Sequence, residues 1–111
     1  MAYDEDLANR IRELLSDEDG VTEMTMFGGL AFLLAGNMAV AASGQGGLLV
    51  RVDPGEGAEL ISRAGASPMV MRGREMAGWL RVDAQAVGTK RQLQAWVRRG
   101  VAYAGSLPAK R

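Results

Sequence analysis

The strongest constraint on this chain is a long run without charge. Met24–Val50 holds 27 consecutive residues with no Asp, Glu, Lys or Arg, in a chain where 23% of positions are charged. Such a run folds either as a membrane-spanning helix or as the interior of a sheet. A span needs about 20 apolar residues in unbroken helix. Here Gly28-Gly29, Gly36-Asn37 and Gly44-Gln45-Gly46-Gly47 cut the run into pieces of six residues or fewer, which is strand length. Gly-Asn between two apolar runs is also a tight-hairpin signal, because both residues tolerate positive φ. The run therefore reads as a sheet core.

Strands are expected at about Thr22–Met26, Gly29–Leu34, Asn37–Ser43 and Leu48–Val52, with the first able to run into the second through the glycine pair. The last alternates, Leu48, Val50 and Val52 on one face against Leu49 and Arg51 on the other. Two further strands are expected at Met69–Arg72 and Trp79–Asp83, joined by a loop over Gly73–Gly78.

Three helices frame these strands. In Asp4–Ser16, Leu7, Ile11, Leu14 and Leu15 make one apolar stripe, and Asp4, Glu5 and Asp6 sit where the helix dipole favours acids. Asp53-Pro54-Gly55-Glu56 supplies an N-cap, a first-position proline and an acid at the third position, so a helix to about Ala64 is expected, with Gly65 as its stop. Thr89-Lys90-Arg91-Gln92 has capping-box spacing, and Leu93, Trp96, Val97, Gly100, Val101 and Ala104 then share one face. The expected fold is α+β: a two-layer α/β sandwich over residues 1–111, an antiparallel sheet with helices on one face, in the order α-β-β-β-α-β-β-α.

Two absences limit the chemistry. With no cysteine there is no disulfide, thiolate nucleophile or thiolate metal site, and with no histidine the usual general base near neutral pH is missing. No glycine-rich loop has phosphate-binding spacing, no serine sits in a nucleophile-elbow context, and Asp17-Glu18-Asp19 lacks the rest of a calcium loop. No catalytic residue, cofactor or metal is expected. The acidic start MAYDEDLANR has no secretory character, so a cytoplasmic location is expected.

Charge is balanced at thirteen of each sign but not mixed. Acids crowd the first 25 residues, bases the segment after Arg63. The two ends are expected to face and neutralise one another, the alternative being separate partner-facing surfaces. The candidate binding surface comprises Arg72 and Arg74 flanking Gly73, Arg81 on the strand face of Trp79, and Lys90, Arg91, Arg98 and Arg99 off the apolar stripe of the last helix. Lys90 and Arg91 oppose the dipole in that helix's first turn, a placement that hints at use. The seven methionines are read as strand packing rather than as an adaptable surface, and Trp79 and Trp96 as core anchors.

Four runs, MFGGLAFLLAGNMAV, LLVRV, PMVMRGREMAGWLRV and LQAWVRRGVAYAGSLP, together resemble the N-terminal domain of the TfoX/Sxy family from about Glu23 to Pro108. The most specific pieces are Met26-Phe27-Gly28-Gly29, Gly36-Asn37-Met38, Gly73–Trp79, and Trp96 with the Leu107-Pro108 ending. The resemblance implies a two-layer domain with an antiparallel sheet. Named members regulate natural competence in bacteria beside the cyclic-AMP receptor protein, have no known catalytic function, and carry a second domain after this one. It thus implies a stand-alone N-terminal domain, non-enzymatic, acting as a protein-binding accessory in competence-type transcriptional regulation, with an unidentified protein partner and scope for a homodimer. A second reading is direct nucleic-acid contact through the basic face. A third is a small-molecule or enzymatic site near Arg72–Glu75.

Overall fold

The computed structural model describes residues 3–26, 28–61 and 65–109. Helix α1 covers Glu5–Leu14. Asp4 caps it, its Oδ1 accepting from the N–H groups of Asp6 and Leu7 at 2.9 and 3.2 Å, which satisfies two donors that have no partner inside the helix. Four strands follow, β1 (Val21–Met26), β2 (Gly29–Leu34), β3 (Asn37–Ala42) and β4 (Leu48–Arg51). Next come helix α2 (Pro54–Ile61), the hairpin β5 (Ala66–Met71) and β6 (Arg74–Val82), a short 3-10 turn at Ala84–Val87, and helix α3 (Lys90–Ser106). The strands form one antiparallel sheet in the order β1-β2-β3-β4-β6-β5. The α+β class and its antiparallel sheet are as expected.

Several boundaries differ for local reasons. β1 and β2 are two strands, paired from Val21↔Leu34 to Met26↔Gly29, so the chain folds back at this corner instead of running through it. Gly28 supplies a φ of +77° there. Gly29 supplies space, because a Cβ would collide with the Ala42 carbonyl oxygen. Phe27 lies outside the described residues. The β2–β3 turn is Ala35-Gly36, with φ of 51° and 83°, not Gly36-Asn37. Asn37 instead opens β3, where its side chain is buried and its Nδ2 donates to the Pro108 carbonyl at 2.9 Å. That bond ties the segment after α3 to the start of a central strand. β6 begins at Arg74, so most of the expected loop over Gly73–Gly78 is strand, paired with β5 at Met71↔Arg74 and Val70↔Glu75. Asp53 caps α2 through Gly55 N–H at 2.8 Å. The expected helix end at Ala64 lies outside the described residues.

The capping box of α3 is complete: Gln92 N–H donates to Thr89 Oγ1 at 3.1 Å and Thr89 N–H to Gln92 Oε1 at 3.0 Å. The three helices cover one face of the sheet, where Ile11, Leu60, Leu93 and Trp96 meet Phe32, Val40, Leu48, Val50, Leu80 and Val82. Among the described residues no helix is long and apolar enough to cross a membrane.

The closest approach of helix to sheet is at Gly100. A Cβ there would lie 2.5 Å from the Ala39 carbonyl oxygen and 2.9 Å from Val40 Cγ1. In an ordinary helix interior, alanine stabilises by about 1 kcal/mol over glycine. Here backbone blocks the methyl, so Gly100→Ala should instead destabilise by about 1–3 kcal/mol. Gly105→Ala, whose methyl would meet only the end of Leu34 at 3.4 Å, should be neutral or mildly stabilising. Urea-unfolding midpoints at unchanged slope check the pair.

Candidate binding face

The opposite face of the sheet has no helical layer, yet its centre is dry. Ala31 is fully buried there, and Met38, Ala41, Leu49 and Met69 are each under 10% exposed. Met26, Leu33 and Trp79 pack around them. The reason is curvature. Six flat strands would spread over roughly 24 Å. A single cavity of about 240 Å³ nevertheless touches every strand, from Met26 on β1 through Ala31, Met38, Ala41 and Leu49 to Trp79 on β6 and Met69 and Val70 on β5. The two edges must therefore curl toward each other. Register shifts at Phe32/Leu33 and at Pro68/Val70 mark where pairing is interrupted, and such irregularities increase local twist.

One end of the cavity is polar. Ser43, Gly44 and Gln45 of the β3–β4 turn line it together with Arg81. Arg81 donates from Nη1 to Ser43 Oγ at 3.4 Å and from Nη2 to the Gly46 carbonyl at 3.2 Å. Ser43 is buried and its Oγ also accepts from Gln45 N–H at 3.1 Å. No carboxylate lines the cavity among the described residues. Nearby, Arg51 stacks between two rings, its guanidinium carbon 5.3 Å from the centre of Trp79 and 5.6 Å from that of Tyr103 on α3. Such contacts are worth about 0.5–1 kcal/mol at exposed sites.

The basic candidates do not gather on one patch. Arg72 and Arg74 are exposed at the tip of the β5–β6 hairpin, and Arg72 has a φ of +53°. β6 then runs about 26 Å before the turn that leads to α3, whose first turn exposes Lys90 and Arg91. Arg98 and Arg99 border a groove between α2 and α3, with Asp53, Glu56 and Glu59 also lining it. Arg99 lies over the Trp96 ring at 5.4 Å. Arg81 alone of the seven lines the cavity. Arg98 also lines a second groove with Glu18, just after α1, so one acid of the N-terminal segment does face the basic half. Among the described residues no ion pair joins that segment to the basic half.

The methionines also differ from expectation. Met38 and Met69 are buried, but on the helix-free face, and Met24 and Met76 are exposed at 52% and 36%. Trp96 is a core anchor; Trp79 is half-buried and faces the cavity instead. The sequence signal for Arg81 was its alternation with Trp79. Ser43 carried no such signal, because it reaches Arg81 only through the pairing of Ala42 with Leu48 and of Leu48 with Val82.

A family model for the TfoX N-terminal domain matches residues 13–104. The chain belongs to that family. A search of curated proteins returned no match, and a search of solved structures returned none either.

An ion pair on the surface joins α1 to β1. Arg12 on α1 grips Glu23 on β1 through both carboxylate oxygens, at 2.7 and 2.8 Å. The hydrogen bonds from Arg12 hold the Glu23 carboxyl below its usual value of 4.5. Its contribution to stability is therefore complete above that value and is lost as pH falls through the lowered one. Arg12→Ala should move the Glu23 titration upward in carboxyl NMR. Because the pair is exposed, the change in unfolding midpoint should be small and should shrink further with salt.

Proposed function

We propose that this chain is a non-enzymatic binding module of the bacterial cytoplasm that acts by protein contact in transcriptional regulation of the competence type. The observation that carries this reading is the helix-free face. Its apolar centre continues outward to Met24 and Val70, exposed at 52% and 57% on the two edge strands. Exposed apolar groups on opposite rims of one face suit a docking surface, and methionine side chains adapt to the shape of a partner. The regulatory setting comes from the family. The lack of histidine and cysteine, and of any carboxylate in the cavity among the described residues, supports a module that holds rather than transforms.

Direct nucleic-acid binding is the competing reading, and the scatter of Arg72, Arg74, Arg81, Lys90, Arg91, Arg98 and Arg99 over separate regions weighs against it. The test compares two surface variants in pull-down from a competence-forming bacterium. Met24→Lys with Val70→Lys should abolish recovery of the partner, and Arg72→Ala with Arg74→Ala should leave it intact. Loss of recovery in the second variant alone would sink the proposal. So would a mobility shift of DNA at ~50 mM salt that weakens with the steep salt dependence of phosphate contacts.

A further inference from the structure

We infer that the cavity on the helix-free face is a site for a small organic anion, an apolar ring or short chain ending in a carboxylate, with Arg81 as its anion-recognising residue. This goes beyond the protein-contact reading and does not rest on it. The cavity holds about 240 Å³, below the roughly 300–1,000 Å³ of sites for drug-sized ligands. At about 30 Å³ per water, that is on the order of eight waters, enough for one ring and a short acidic tail. Met26, Met38, Met69 and Trp79 make its body apolar. Polarizable thioethers beside an indole favour an aromatic or flexible aliphatic occupant.

Charge decides the head group. Arg81 stands half-exposed at the rim of an apolar pocket, and among the described residues its acceptors are both neutral, the Ser43 hydroxyl at 3.4 Å and the Gly46 carbonyl at 3.2 Å. Both bonds are longer than charge-assisted pairs to a carboxylate, which lie near 2.7–2.9 Å. Two of the five N–H donors of the guanidinium are engaged in this way, leaving donors for a ligand. The two contacts also fix the guanidinium against the β3–β4 turn, so its orientation is set before a ligand arrives. A carboxylate at the polar end would complete the arrangement, with the apolar body on the methionines.

The test uses the full chain labelled with ¹³C at its methionine methyl groups and three probes of one shape: 3-phenylpropionate, 3-phenylpropanol and 3-phenylpropylamine. The acid should shift the Met26, Met38 and Met69 methyls saturably and leave Met76, which lies off the cavity, unmoved. The alcohol should bind roughly tenfold or more weakly, as loss of a charge-assisted contact implies, and the amine more weakly still. Arg81→Met should remove the preference for the acid while the alcohol still binds. Arg81→Lys should restore part of it. Ala41→Val, which fills the cavity from β3, should weaken all probes, with circular dichroism confirming that each variant is folded. Equal affinity for acid and alcohol, unchanged in Arg81→Met, would overturn the role of Arg81. Absence of saturable shifts with every probe, or shifts that include Met76 equally, would overturn the site itself.

Discussion

A sheet buries two faces or exposes one, and here three helices suffice for only one of them. The helices are 10, 8 and 17 residues long, and all of them pack on the side of Phe32, Val40 and Leu80. The remaining face carries Ala31, Met38, Leu49 and Met69, side chains that water disfavours. Curling the sheet upon itself is the solution that this backbone adopts. Interrupted register accompanies the curl at two places, Phe32/Leu33 in the body of the sheet and Pro68/Val70 on an edge strand, where a proline cannot donate to the ladder. The depth of the cavity and the dryness of the centre follow from that curl, while the reach of Arg81 to the β3–β4 turn follows from the pairing of β4 with β3 and β6.

The two sides of the sheet consequently have different packing rules. On the helical side contact is tight enough to exclude a methyl group at Gly100. On the other side small residues, Ala31 and Ala41, meet long flexible ones, Met26, Met38 and Met69, and a void remains. The first arrangement specifies one structure; the second tolerates several occupants. A fold stabilised mainly on one side is free to vary the other, which is where a binding role costs the least stability.

Much of the fold was legible because it is encoded locally. The capping box at Thr89–Gln92, the cap at Asp53 and the apolar stripes of α1 and α3 depend on spacing within a few residues, and each is present in the structure. The hairpin at Gly36 was placed one residue off because glycine and asparagine both accept positive φ, and the long-range bond from Asn37 to Pro108 decided between them. β6 was cut short because GREMAG resembles a turn in composition, whereas its pairing partner on β5 supplies the strand. The candidate site was legible only at Arg81; Trp79 carries the signal of a core anchor. The other groups at the cavity lie on the five remaining strands and the β3–β4 turn, and no periodicity along the chain reports how far a sheet curls.

One side chain joins surfaces that otherwise have nothing in common. Trp79 lines the cavity on the helix-free face, and Tyr103 lines the groove between α2 and α3; Arg51 is stacked on both rings. Arg51 and Trp79 are also opposite partners in the β4–β6 pairing, so strand register sets their contact. A cavity on one layer and a groove on the other are thus bridged by three side chains in sequence, Trp79, Arg51 and Tyr103.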